Sequence, residues 1–411
     1  MSGEQPGGYP ERVTSSAVST KIDTLLRHAA DGGRISPEEA LLLYTDAPLH
    51  ALGEAADAAR KRRYAGDSVN IATYIIDRNI NYTNVCLTAC KFCAFYRAPG
   101  HSEGWTHTDD EILRRCGEAL DLGATQIMLQ GGHSPALGIE WYERTFAAIK
   151  QTYPELTLHS LGASEVVHIG KVSKLDHAEV IARLHAAGLD SFAGAGAEIL
   201  VQRPRTAIAP LKESGETWLS VMELAHGMGV ESTATFMMGT GETNAERIEH
   251  LRMIRDVQDR TGGFRSFIPW TYQPENNHLK GRTQATSLEY LRMVALARLF
   301  FDNINHLQGS WLTTGKDIGQ LTLHFGADDL GSVMLEENVV SSAGARHRSN
   351  RTELIELIRS AGRVPAQRDT LYNHLSVHAD PADDPVDARV HSHFSSTALK
   401  LLPTGVPAAA S

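Results

Sequence analysis

The chain has 411 residues, of which 42% are hydrophobic and 21% are charged, and its formal net charge at pH 7 is −10. This length allows two or three domains with sizeable cores, and the acidic charge argues against a nucleic-acid-binding protein, which would need a basic face. No apolar run reaches the length of about 18 residues that a membrane span needs, and the N-terminus does not resemble a secretory signal. The four cysteines are too few for a disulfide framework, so we expect a reducing cytoplasm as the location.

The N-terminal part of the chain divides into a Gly-, Pro- and Ser-rich start and a helical extension. Residues 1–20 are predicted to be disordered because this composition offers little to a packed core. Residues 21–69 are predicted to be helical. Within them, Ser36 followed by Pro37 and, three residues after Ser36, by Glu39 is typical of a capped helix start.

From about residue 70, short β-rich runs alternate with amphipathic helices. Helix starts are predicted at Thr108, Thr243 and Thr286, because each threonine is followed three residues later by a glutamate. Strands are predicted at Ile71–Ile76, Gln126–Leu129, Leu156–His159, Asp190–Phe192, Ser232–Met237, Ser266–Trp270 and Leu307–Trp311.

This alternation predicts an α/β fold with a parallel sheet and right-handed crossovers. Its extent over residues 70–345 favours a (β/α)8 TIM-type barrel, closed or partly open, over two doubly wound domains. We expect a C-terminal helical segment over residues 346–378 that packs on the barrel, and a flexible tail over residues 379–411.

Three cysteines follow the first predicted strand. Cys86, Cys90 and Cys93 are separated by three and then two residues. Because TIM-type barrels carry their active sites at the C-terminal ends of the strands, we expect this loop on the site face. Three thiolates can hold three irons of a [4Fe-4S] cluster and leave the fourth iron open to a cofactor.

Two other metal sites are compatible with this loop. Structural zinc needs four ligands, so His101 or His107 would have to complete the site, and the chain has no second Cys-x-x-Cys pair. A fully ligated ferredoxin-type cluster would need Cys116. Ile112, Cys116 and Leu120 share one helical stripe, which predicts that Cys116 is a buried core residue.

The spacing of the three cysteines is the signature of the radical S-adenosylmethionine (SAM) superfamily, which the chain resembles over the predicted barrel. The resemblance implies that Cys86, Cys90 and Cys93 hold the cluster, and that the open iron binds SAM so that one electron cleaves it to a 5′-deoxyadenosyl radical. It also implies cofactor contacts from residues near the cysteines and after later strands, namely Phe92, Tyr96, Gln130, Gly131, Gly132, Ser160 and Glu198.

Longer runs between residues 81 and 368 resemble the dehypoxanthine futalosine cyclases of menaquinone biosynthesis. They include Met128–Gly132, Phe267–Pro274 and Met334–Val340. The resemblance implies removal of the ribose C4′ hydrogen of dehypoxanthine futalosine, radical closure onto the benzoate ring, and loss of one electron and one proton. It also implies an electron donor such as flavodoxin or ferredoxin. Aminofutalosine synthase and the two halves of deazaflavin (F0) synthase remain the alternative branches.

Several residues are candidates for substrate contacts. Trp270, Tyr272 and Trp311 are aromatic residues at predicted strand ends, where a ring serves either barrel packing or stacking on a benzoate. Arg203 and Arg205 offer guanidinium groups that suit a benzoate carboxylate, although solvated arginines are the commoner outcome.

Three further residues are candidates for chemistry. Glu336 and Glu337 form an acidic pair in an apolar stretch and are candidate acceptors of the last proton. His133 follows the glycine pair and is a candidate site residue. The sequence therefore predicts a radical SAM cyclase that acts on a small molecule, and the alternative class is a non-catalytic iron–sulfur or zinc-binding scaffold.

Overall fold

The computed structural model describes residues 16–392, and this part of the chain begins with three helices. They are α1 (Ser16–Ala30), α2 (Pro37–Asp46) and α3 (Leu49–Lys61). At the start of α2, the Ser36 side chain accepts a hydrogen bond from the Glu39 backbone and the Glu39 side chain accepts one from the Ser36 backbone, as predicted. The prediction of disorder over residues 1–20 is wrong for residues 16–20, which lie in α1. Residues 1–15 lie outside the described part.

Strands and helices then alternate along the chain. The described strands are β1 (Ile71–Ile75), β2 (Asp77–Ile80), β3 (Gln126–Leu129), β4 (Thr157–Leu158), β5 (Ser232–Met238), β6 (Phe264–Thr271), β7 (His306–Leu307), β8 (Asp329–Ser332), β9 (Val364–Arg368) and β10 (His374–Val377). The helices are α4 (Asp109–Asp121), α5 (Ile139–Thr152), α6 (Ala163–Ser173), α7 (His177–Ala186), α8 (Gln202–Ile208), α9 (Gly215–Gly227), α10 (Asn244–Thr261), α11 (Ser287–Phe300), α12 (Trp311–Thr314), α13 (Lys316–Thr322), α14 (Val339–Ser342) and α15 (Arg351–Ser360).

The predicted helix starts are confirmed, and two predicted strands need correction. Thr108, Thr243 and Thr286 each accept a hydrogen bond from the backbone of the glutamate three residues later. The strand predicted over Leu307–Trp311 ends at Leu307, because Trp311 starts α12. The strand predicted over Asp190–Phe192 is reduced to isolated bridges from Ser191 and Phe192.

The strands form three sheets, with the orders β10-β9-β1-β8, β2-β3-β4 and β5-β6-β7. All pairs are parallel except β9 with β10. Single bridges, His159 to Ser191, Phe192 to Ser232 and Gln308 to Asp329, connect neighbouring sheets. The predicted α/β class with parallel strands is confirmed. Among the described residues, however, continuous strand pairing stops between one sheet and the next. The structure therefore does not show a closed (β/α)8 barrel.

The C-terminal part differs from the prediction. The segment 346–378 contains α15, but it also contains the hairpin β9–β10, and β9 pairs in parallel with Ile71–Tyr74 of β1. The prediction of a flexible tail from residue 379 is wrong for residues 379–392. Val390 is buried, and the Ser392 hydroxyl donates to the Val333 carbonyl at 2.6 Å. Residues 393–411 lie outside the described part.

Within residues 16–392, no helix is both long enough and apolar enough to cross a membrane.

Candidate active site

The loop that carries Cys86, Cys90 and Cys93 follows β2 and is held by backbone hydrogen bonds. Leu87 N donates to His133 O at 3.1 Å, and Lys91 N donates to Ile208 O at 2.8 Å. All three thiols are free and half-buried. Burial raises the pKa of the Cys90 and Cys93 thiols. The loop is thus fixed in place by its backbone, with three unpaired thiols along it.

Three free thiols on one loop are a donor set that suits an iron–sulfur cluster. In residues 16–392, no three His, Cys, Asp or Glu side chains converge so that they could share one metal ion. A zinc site needs its ligands at about 2.0–2.3 Å from one point, whereas a cubane cluster spreads its thiolates over separate irons. Cys116 is fully buried in α4, as predicted for a core residue.

The glycine pair after β3 approaches the cysteine loop closely. Gly132 N donates to Thr83 O at 2.9 Å. A Cβ atom added at Gly132 would overlap the Val85 carbonyl and lie 3.0 Å from the Cys86 Cβ, and one at Gly131 would lie 2.7 Å from the Tyr82 ring. Only glycine therefore allows this backbone to run against the cysteine loop, and Gly131 and Gly132 form a backbone cradle next to Cys86.

A cavity of about 340 Å³ lies beside this loop, between the strands. The predicted site residues that line it are Phe92, Gln130, Glu198, Trp270, Trp311 and Glu337. They come from six different connections or strand ends along the chain. The structure thus brings these residues together around one space, at the C-terminal ends of the strands.

Glu198 is held in the cavity wall by a lysine that the sequence analysis missed. Its backbone adopts a left-handed φ of 38°, and its carboxylate accepts hydrogen bonds from Lys212 Nζ at 2.9 and 3.0 Å. Burial acts to lower the pKa of Lys212, but Glu198, Cys90 and Glu213 together outweigh it and the pKa is raised. Lys212 is therefore a buried cation next to the cysteine loop.

Arg205 contacts the backbone of the loop around Glu198 and does not line the cavity. Its guanidinium donates to the carbonyls of Gly196, Ala197 and Ile199 at 3.1, 2.7 and 3.2 Å, and it pairs with Glu213 at 2.6 Å. The predicted substrate contact is thus replaced by a contact with the protein backbone.

Arg203, the other arginine predicted to bind substrate, is exposed on α8. It pairs with Glu246, whose oxygen lies 2.5 Å from Arg203 Nε, and it does not line the cavity.

Two more predicted residues, Ser160 and Tyr272, serve the fold instead of the cavity. The Ser160 hydroxyl accepts from Leu129 N at 3.0 Å and donates to Ile127 O at 3.2 Å, next to β3. The Tyr272 hydroxyl donates to the Leu279 carbonyl at 3.0 Å and so orders the loop after β6.

The Glu336 carboxylate forms salt bridges with two arginines, Arg78 at 2.7 Å and Arg115 at 2.6 Å. Its neighbour Glu337 lines the cavity and accepts from the backbone N–H groups of Val339, Val340 and Ser341 at 2.8, 2.6 and 2.7 Å. Burial raises the pKa of Glu337 in spite of these donors. Of the acidic pair, Glu337 alone borders the cavity.

His133 and Tyr96 lie near the cysteine loop but do not line the cavity. The His133 ring stacks on His168 with 5.0 Å between centroids, and its Nδ1 lies 2.6 Å from the Thr88 hydroxyl. Burial lowers the pKa of His133 to about 3, so its imidazole is neutral at pH 7. Tyr96 is half-buried three residues after Cys93.

The sequence analysis also missed a set of polar residues at the other end of the cavity. They are His159, Arg265, Arg368, Thr370 and Tyr372. Three of them belong to β9 or to the turn after it, and this hairpin carries no hydrophobic alternation that would have predicted it.

Comparisons with known proteins agree with this site. Residues 80–254 match the radical SAM superfamily, and residues 261–380 match the CofH/MqnC C-terminal region. Cyclic dehypoxanthine futalosine synthase of Streptomyces coelicolor is 72% identical over 92% of this chain and 95% of that protein. The protein of the same name from Halalkalibacterium halodurans is 43% identical over 87% of this chain and 96% of its own length. Aminodeoxyfutalosine synthase of Thermus thermophilus is 36% identical, over 84% and 94%.

Two solved structures share the fold at low sequence identity. HydG, a maturase of the [FeFe]-hydrogenase, has a TM-score of 0.66 at 13% identity over 87% of this chain and 80% of that chain. Methylornithine synthase (PylB) has a TM-score of 0.65 at 17% identity, over 83% and 97%. The fold and the cysteine loop thus define a radical SAM protein. Within that superfamily, the chain belongs to the family of cyclic dehypoxanthine futalosine synthases.

Proposed function

We propose that the protein converts dehypoxanthine futalosine into cyclic dehypoxanthine futalosine in menaquinone biosynthesis. The observation that carries this proposal is the 72% identity with the synthase of that name over nearly the whole of both chains. The aminodeoxyfutalosine synthase, which represents the alternative branch, reaches half that identity, 36%.

The residues around the cysteine loop fit the two cofactors of this superfamily. Cys86, Cys90 and Cys93 would hold a [4Fe-4S] cluster, and the cradle formed by Gly131 and Gly132 would receive the methionine part of SAM. Phe92 and Glu198 border the same space and would contact the adenosyl part. When bound, the cluster and SAM supply the 5′-deoxyadenosyl radical that removes the ribose C4′ hydrogen of the substrate.

The protein's own contribution is to position the substrate and to exclude water. Trp270 and Trp311 line the cavity and would contact the substrate. Trp311 is fixed, because its indole N–H donates to Ser332 O at 3.2 Å and Gly319 packs against it. A rigid wall of this kind would restrict the substrate to conformations in which the ribose carbon lies close to the benzoate ring.

Glu337 would take the proton that leaves the ring when aromaticity is restored. It is a buried carboxylate on the cavity wall with a raised pKa, which suits a proton acceptor. Glu337→Gln should slow product formation by about 100-fold or more while 5′-deoxyadenosine is still released. A variant that forms product at the wild-type rate would remove Glu337 from this role.

The proposal extends to the surroundings of the site. The three sheets and their bridges would make up one (β/α)8-type wall over residues 70–345, with the helices of residues 21–69 as an extension. An electron donor such as flavodoxin or ferredoxin would reduce the cluster in the cytoplasm, where thiols stay reduced.

Anaerobic reconstitution followed by incubation with SAM and dehypoxanthine futalosine tests the function. Mass spectrometry should find a product lighter than the substrate by two hydrogen atoms, because one hydrogen atom, one proton and one electron are lost. Cys90→Ala should abolish cluster assembly and 5′-deoxyadenosine release, whereas the control Cys116→Ala should retain both. An unchanged substrate together with turnover of an enolpyruvyl benzoate would assign the chain to the alternative branch.

A further inference from the structure

The end of the cavity away from the cysteine loop is lined by residues of the β9–β10 hairpin. Arg368, Thr370 and Tyr372 contribute to this lining. Arg368 is fixed by two hydrogen bonds to the Asp329 carboxylate, at 2.6 and 3.1 Å, and its guanidinium lies 3.9 Å from the Tyr372 ring centroid. This end of the cavity is therefore built from ordered polar groups and not from apolar packing.

Arg265, at the start of β6, lines the same end and has an unused donor. Its Nη2 donates to the Ser191 hydroxyl at 2.9 Å, and its Nη1 pairs with Glu231 at 3.2 Å. Its Nε is buried without a hydrogen-bond partner, and so is the Thr370 hydroxyl. A buried polar group without a hydrogen-bond partner destabilises the fold, so two of them at one cavity end indicate a ligand that satisfies them.

The charges at this end favour an anion. Arg368 is neutralised by the buried Asp329, whereas Arg265 pairs with Glu231, whose side chain is 48% exposed. Burial, followed by the two nearby arginines, lowers the pKa of His159 well below its usual value, so His159 is neutral. The cavity end therefore carries a positive charge that no buried carboxylate balances.

The Asp77 carboxylate, which also lines the cavity, does not remove this charge. Asp77 accepts hydrogen bonds from Gln126 Nε2, at 2.7 Å, and from the Ser332 hydroxyl, so both of its oxygens are occupied by neutral donors. Burial raises the pKa of Asp77, which disfavours its charged form.

We propose that Arg265, together with the Thr370 hydroxyl, binds the carboxylate of an aryl carboxylate at this end of the cavity. A guanidinium offers two parallel N–H groups to a carboxylate, which gives both affinity and orientation. The inference rests on the proposed function, whose substrate carries a benzoate. Arg265 thus takes the role that the sequence analysis gave to Arg203 and Arg205, which are engaged elsewhere.

This placement also orients the substrate. Arg265 and Trp270 lie at opposite ends of β6, and five residues of strand span roughly 16 Å. A carboxylate at Arg265 therefore directs the ribose end of the substrate toward Trp270 and the cysteine loop, where the radical is generated.

Binding to the reconstituted enzyme without SAM tests the inference directly. The probes are dehypoxanthine futalosine and its analogue with a carboxamide in place of the carboxylate, and the readout is Kd by calorimetry. The wild type should bind the acid about 10- to 100-fold more tightly than the carboxamide. Arg265→Gln should abolish this preference because it weakens the binding of the acid alone. The control is Arg260→Gln, which removes an exposed arginine of α10 that pairs with Glu223 of α9. This variant should keep the wild-type preference.

Arg265→Lys guards against a variant that fails to fold, because it keeps the positive charge and should keep part of the preference. The inference is overturned if Arg265→Gln prefers the acid as strongly as the wild type, or if the wild type itself shows no preference.

The outcome is separable from the proposed function. If the wild type cyclises the substrate but Arg265→Gln keeps its preference for the acid, only the carboxylate site is wrong. If the wild type does not cyclise the substrate but prefers the acid through Arg265, the carboxylate site stands and the proposed function is wrong.

Discussion

The Nζ atom of Lys212 lies 2.9 and 3.0 Å from the two carboxylate oxygens of Glu198, and both side chains are buried next to the cysteine loop. This ion pair fixes the left-handed turn at Glu198, where the chain enters the cavity wall.

Lys212→Met should destabilise the protein and weaken SAM binding, because it leaves the Glu198 carboxylate buried without its cation. Removal of one partner of a buried pair costs about 3–5 kcal/mol, whereas an exposed pair contributes about 0–1 kcal/mol. The control is therefore Lys316→Met, since Lys316 and Glu353 are each 38% exposed. Urea unfolding and SAM titration measure the two effects, and equal losses in both variants would contradict the role of Lys212.

Gly132→Ala should prevent cluster assembly, because the added Cβ would overlap the Val85 carbonyl and press on Cys86. Iron content per chain and the visible absorbance of the reconstituted protein measure this directly. Gly227→Ala is the matched control, since a Cβ at this position in α9 meets no atom within 4 Å and should add about 0.5–1 kcal/mol of stability. A Gly132→Ala protein with full iron content would show that the cradle tolerates a side chain.

The two arginines near the start of α8 should behave differently although they are two residues apart. Arg205→Gln should cost about 3–5 kcal/mol, because Glu213 and three backbone carbonyls lose their buried partner. Arg203→Gln removes a side chain that is 62% exposed and should cost less than about 1 kcal/mol. Thermal and urea unfolding distinguish these outcomes. A larger loss in Arg203→Gln would mean that the loop after Glu198 is held in another way.

The sequence was most informative where the chemistry is local. The spacing of Cys86, Cys90 and Cys93 and the position of the glycine pair are visible in short runs, so the cysteine loop and its cradle were predictable. Lys212 and Arg265 were not, because each acquires its role through a partner that the chain brings in from elsewhere, Glu198 in one case and Ser191 in the other.

The same reason explains the strands that the sequence analysis missed. β8 contains Asp329 and Gly331, which are residue types depleted in strands. It forms because the Asp329 carboxylate is buried against Arg368 of β9, and that pairing cannot be read from either segment alone.

Acid should weaken the fold through Asp328, which is buried between Arg298 at 2.6 Å and His306 at 2.6 Å. Burial acts to raise the pKa of Asp328, but Arg298 and His306 outweigh it and the pKa is lowered. An acid with a lowered folded-state pKa stabilises the fold above its unfolded pKa of about 4, and this stabilisation is lost as the pH falls below that value.

Asp328→Asn should therefore be less stable than the wild type at pH 7, and the difference in unfolding free energy should shrink as the pH falls below about 4. Urea unfolding over this pH range measures the difference. A gap that stays constant from pH 7 into the acid range would mean that the Asp328 charge does not contribute to stability.

We expect the radical generated at the cysteine loop to remove the ribose C4′ hydrogen of dehypoxanthine futalosine. Incubation of the reconstituted enzyme with SAM and with substrate that carries deuterium at C4′ tests this expectation. The released 5′-deoxyadenosine should contain the deuterium, and the cyclised product should lack it. Cyclised product that retains the deuterium, together with unlabelled 5′-deoxyadenosine, would show that the hydrogen is not taken from C4′.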